Sequence, residues 1–140
     1  MFGCIHQYED IEYGKASELA VLPMINEHFN DNAVASSEVF STQDFFSQKN
    51  VYELKSRKIV HNLYPTTIIG CNKAVLNEQD REKTLYFVFK YLDGLFYIKY
   101  DEEKFKHWKS VFQRNARIGC RDSPHEVFHI PHTELTRINE

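Results

Sequence analysis

Long apolar runs are missing from this chain: none reaches the roughly 18 consecutive residues that cross a bilayer, so no membrane partner is expected. The opening MFGCIHQYED has neither a basic start nor an apolar stretch, which leads to the expectation of an unsecreted, intracellular protein of cytoplasm or nucleus. Cysteine is scarce. Cys4, Cys71 and Cys120 are odd in number and far apart, poor material for a disulfide framework, and they point to a reducing compartment. No repeat, low-complexity tract or linker-like stretch interrupts the 140 residues.

Net basic charge is lacking as well, since the formal total is −3. The deficit is uneven. Residues 45–121 hold 15 Lys and Arg against 8 Asp and Glu, a net of +7, and the acidic excess lies in the two ends. A basic middle is compatible with phosphate binding, because local patches matter more than the total. What the chain has in quantity is apolar surface. At 42% hydrophobic it can bury one real core, and residues 1–140 are expected to form a single domain.

Taken in order, ELAVLPMINEHF follows Ser17 and places Glu18, Leu22, Ile25 and Phe29 on one helical face, with Pro23 expected to kink it. Residues 33–47 contain apolar positions enough for a strand or two. TTIIGC, a β-branched run, fits a buried central strand. TLYFVFKYLDGLFYIKY reads as a hairpin turning at Asp93-Gly94, with its aromatics as core. In DEEKFKHWKSVFQRNARIG, Phe105, Trp108 and Phe112 recur at helical spacing between acidic and basic ends, which predicts a helix. A short strand over residues 126–130 follows.

The chemistry concentrates in residues 44–73, DFFSQKNVYELKSRKIVHNLYPTTIIGCNK. Strand alternation puts Val51, Glu53 and Lys55 on one face and Tyr52, Leu54 and Ser56 on the other. If the chain turns near residues 48–50 and pairs back antiparallel, Asp44 comes beside Glu53. Two acids and a lysine at one sheet edge suit metal-assisted phosphodiester chemistry, because hard oxygen ligands favour magnesium. The plainer alternative is a surface strand with an ordinary Glu and Lys. For Glu18 it is a charge that favours a helix N-terminus. Arg57, Lys58, Lys73, Arg114, Arg117 and Arg121 are candidates for contacts to nucleic-acid phosphates. Cys120, His125, His129 and His132 match no zinc template. A second E-x-K, Glu102-Glu103-Lys104, opens a charged helix and is set aside.

Glu18 on the first helix, Asp44 at the second strand, Glu53-Leu54-Lys55 on the third and the strand over residues 66–71 together resemble the PD-(D/E)xK nuclease superfamily of restriction endonucleases, Holliday-junction resolvases and recombination nucleases. The motifs span residues 14–73, and Gln43 stands where that family has proline. The resemblance implies an α/β fold with a central mixed β-sheet flanked by helices, a restriction-endonuclease-like core in the order αβββ, then hairpin, helix and strand. It also implies a magnesium- or manganese-dependent nuclease acting on DNA rather than RNA, for which a homodimer is a compatible assembly. By the same resemblance Asp44 and Glu53 hold the metal, Glu18 is an auxiliary ligand, and Lys55 positions or activates the attacking water. The alternative is a nuclease fold kept as a nucleic-acid-binding or assembly module without turnover.

Overall fold

The computed structural model describes residues 20–35, 43–112 and 125–138. Glu18, Arg114, Arg117, Arg121 and Cys120 lie outside those stretches. A helix, α1, covers residues 20–29, and the strands follow as β1 (Val34–Ala35), β2 (Phe45–Phe46), β3 (Asn50–Ser56), β4 (Thr66–Gly70), β5 (Thr84–Tyr91), β6 (Gly94–Lys99), β7 (Lys109–Phe112), β8 (His125–Pro131) and β9 (Thr136–Arg137). One further helical turn, α2 (Glu102–Phe105), precedes β7. Among the described residues these strands form two sheets, a six-stranded one in the order β1-β2-β3-β5-β6-β9 and a three-stranded one in the order β4-β8-β7. The first is mixed. β3 and β5 run parallel and the other neighbours antiparallel, so the protein is an α/β fold with few helices.

Side-chain alternation divides the core in two. On β3 and β5, Val51, Leu85, Phe87 and Phe89 face Ile69 of β4 and Phe128 and Ile130 of β8, filling the space between the sheets. Tyr52, Leu54 and Val88 face the opposite way, onto Val21 and Ile25 of α1. Each such aliphatic or aromatic side chain, once buried, contributes about 1.5–3 kcal/mol. Among the described residues α1 covers one face of the six-stranded sheet, while the three-stranded sheet and Phe105 of α2 pack on the other. The mixed sheet expected with flanking helices is present, but its second flank is taken mainly by a small sheet.

Three local expectations also change. TTIIGC was expected in the centre of a sheet, but β4 is the edge of the three-stranded sheet, where alternate residues are half-exposed. The helix expected from residue 101 stops early: a 3-10 turn, Lys106–Trp108, leads into β7, which pairs antiparallel with β8. Phe105 still packs in the core, so the apolar spacing was real and only its continuation failed. The hairpin forms with its two-residue turn at Leu92 and Asp93, one position earlier than expected, and Tyr91 faces Gly94. Gly94 has φ 153°, and a Cβ there would meet the guanidinium of Arg137 at 2.2 Å. The expected kink at Pro23 interrupts nothing, since residues 20–29 are helical through it. Asn30, at φ 50°, ends α1 in the left-handed conformation that asparagine tolerates.

Candidate functional site

Residues 44–55 form a short antiparallel unit, with β2 and β3 joined by a turn over residues 47–49. A polar knot fixes this unit. The Asp31 carboxylate, arriving just after α1, accepts from Ser47 Oγ at 2.7 Å, Tyr52 Oη at 2.7 Å and Asn50 Nδ2 at 3.0 Å. Burial pushes the Asp31 carboxyl up, but those hydrogen bonds outweigh it and bring it down to about 2. With the turn fixed, Asp44 donates its N–H to Tyr52 O at 3.1 Å, and its Oδ2 accepts from Leu54 N at 2.8 Å. The Asp44 carboxyl is thereby tied to the backbone next to Glu53.

Glu53 lies on the face of β3 turned toward the second sheet and is only 2% exposed. That is an unusual place for a carboxylate, which almost never goes fully inside unless paired. Burial, reinforced by the Asp44 charge, pushes Glu53 up to about 8. Two ammonium groups pull the other way. Lys55 Nζ is 3.6 Å and Lys73 Nζ 3.7 Å from Glu53 Oε2. The other oxygen, Oε1, is buried without a hydrogen-bond partner among the described residues. Burial lowers Lys55 below the usual lysine range against the raising effect of Glu53, with Lys73 and Arg57 lowering it further.

Lys73 was read from sequence as a phosphate contact, and the structure brings it to the acid instead. It stands in the 3-10 turn Cys71–Ala74 directly after β4. Gln43 holds that turn: buried at the start of the acid unit, it donates from Nε2 to Lys73 O at 2.9 Å and to Val75 O at 3.1 Å. Gln43 thus links the Asp44 segment to the Lys73 segment. Sequence offered one hint, Gln43 beside Asp44, but nothing local revealed that its partners lie thirty residues on. Arg57 donates from Nη2 to Ile68 O at 2.6 Å, and Lys58 is exposed. Arg57 is thereby tied to β4. The remaining candidates, Glu18, Arg114, Arg117 and Arg121, fall outside the described residues.

No protein-family model matches the chain, and no curated protein or solved structure matches it significantly.

A hard dication fits the donor set of Asp44 and Glu53. Two converging carboxylates, one with an unsatisfied buried oxygen, form a locus where added positive charge relieves both repulsion and desolvation. Among the described residues no three His, Cys, Asp or Glu side chains come together. A two-acid site leaves coordination positions to water and phosphate oxygens, as is usual for magnesium. Bound there, such an ion would supply Lewis-acid polarisation of a phosphoryl group and a more acidic water. Lys55 and Lys73 would present compact positive charge on the same side of Glu53, and the lowered Lys55 amine is eased toward proton exchange.

Proposed function

We propose that the protein is a metal-dependent nuclease of the PD-(D/E)xK type, hydrolysing phosphodiester bonds in DNA with magnesium or manganese. The observation that carries this reading is Glu53: a carboxylate 2% exposed, crowded by Asp44, with a bare Oε1 and two lysines on Oε2. A structural ion pair has no use for a second acid pressed against the first, whereas a cation site requires one. The chain order lends support to a restriction-endonuclease-like core, with a helix on one sheet face, an antiparallel acid-bearing pair, and a strand parallel to β3. In this reading Asp44 and Glu53 hold the cation, Lys55 orients the attacking water, and Lys73 steadies charge accumulating on the phosphate.

One observation favours a second reading. Lys55 and Lys73 together already offer Glu53 two positive charges, which would suit a nuclease fold that binds nucleic acid without turnover. The two separate on incubation of purified protein with linear, circular and branched DNA, with magnesium, with manganese and with EDTA. Cleavage that needs the divalent ion and disappears in Glu53→Ala is the expected result. Binding without cleavage under every condition would leave the assembly module.

A further inference from the structure

Beside the acid pair runs a groove of about 740 Å³. Its lining comes from Lys55 and Arg57 of the β3 segment, from β4 with Tyr64 just before it, and from His125 and His129 on β8. Lys55 belongs both to the groove and to the Glu53 ion pair, so the two are continuous. In a chain of net charge −3, the groove contains no Asp or Glu among its described lining residues. Its polar character is all nitrogen-bearing or hydroxyl. Such a wall attracts phosphate oxygens.

Tyr64 is 59% exposed, although large aromatic rings are usually packed away. Its mount is firm. Pro65 O, one residue on, accepts from His132 N at 3.1 Å, and β4 starts at Thr66, paired with Pro131 of β8. A half-open ring on an anchored backbone bordering a cationic groove is a platform for a base, and only an unpaired base offers its face. The volume agrees. Pockets of about 300–1,000 Å³ enclose single small ligands, so this groove holds a nucleotide or two and not a double helix.

We propose that this groove binds single-stranded polynucleotide, with a base stacked on Tyr64 and the adjoining phosphates led past Arg57 to Lys55. The proposal rests on the nuclease reading for its orientation toward Glu53, and it names the substrate class as an unpaired strand or strand end.

The test uses the full chain in EDTA, where no divalent ion supports cutting. Fluorescence anisotropy compares short labelled oligodeoxythymidine, oligouridine and a blunt duplex. Wild type should prefer the single strands, and the two single-stranded arms show whether DNA or RNA is favoured. Tyr64→Ala should weaken single-strand affinity by about 5- to 150-fold, the range for losing one stacked base, and leave the duplex value unchanged. Tyr64→Phe keeps the ring and should stay within about twofold of wild type. Tyr64→Ala with wild-type single-strand affinity, or duplex bound as tightly as single strands, overturns the proposal. Because binding is read without metal, the two readings fail separately. A protein that shows the Tyr64 dependence yet cuts nothing with magnesium supports the groove and removes the nuclease.

Discussion

Replacing Glu53 by Gln keeps the shape of the side chain and removes its charge, so the variant isolates what a buried, crowded carboxylate does to stability. In the folded protein Glu53 is pushed up to about 8 from an ordinary 4.5. Between those values the native state holds a proton that the unfolded chain has released. Stability therefore falls as pH rises through this window, at most about 1.36 kcal/mol per pH unit, with a ceiling of about 5 kcal/mol across it. From pH 6 to pH 8 the metal-free wild type should lose about 2 kcal/mol that Glu53→Gln keeps. Lys55 widens the difference between the two proteins. Without the Glu53 charge its amine is lowered further, and a lowered lysine makes stability rise with pH. Urea unfolding of both proteins in EDTA at several pH values measures the difference. Magnesium at a hundredfold excess over its Kd should return about 2.7 kcal/mol to wild type at pH 8 and much less to the variant. Parallel stability curves for the two proteins would refute the reasoning. They would mean that Lys55 and Lys73 already neutralise Glu53, and that no surplus negative charge awaits a cation.

Three further outcomes follow from the same geometry. Lys55→Met should retain the magnesium-dependent rise in melting temperature and the affinity for DNA while losing most cleavage in a gel assay; full activity would remove Lys55 from the chemistry. Gln43→Ala leaves the Lys73 and Val75 carbonyls without their donor and should cost about 2–3 kcal/mol in urea unfolding, with cleavage reduced beyond what the lost folded fraction explains. Asp31, held down at about 2 by its hydrogen bonds, contributes stability that is present above 3.8 and lost as pH falls toward 2, so Asp31→Ala should flatten the acid limb of a pH–stability curve.

What could be read in the sequence was local. The alternation of Val51, Glu53 and Lys55 against Tyr52 and Leu54 follows from the strand period, and the two faces indeed meet different partners. The β5–β6 hairpin announced itself through two β-rich runs around Asp93-Gly94. Long-range pairing was illegible. TTIIGC is apolar enough for any interior strand, and nothing in it says that its partner is β8, some sixty residues later. Lys109–Phe112 carries a helical spacing inherited from Phe105 and Trp108, but strand pairing with β8 overrides that weak preference. The approach of Lys73 to Glu53 depends on Gln43, a residue whose role exists only in three dimensions.

The parallel pairing of β3 with β5 has a consequence in time. Parallel neighbours need a crossover, and here residues 57–83 make it, carrying Lys73 on the way. On a ribosome the Asp44 and Glu53 segment emerges after α1 and β1 but well before β5, and a small unit of this kind holds its shape poorly in water. Only when residues up to Tyr91 have followed can β5 dock along β3 and bring Phe87 opposite Glu53. Non-local closure of this kind is slow. The surroundings that bury Glu53 are thus completed late, because its parallel neighbour is not available until more than half of the polypeptide has been made.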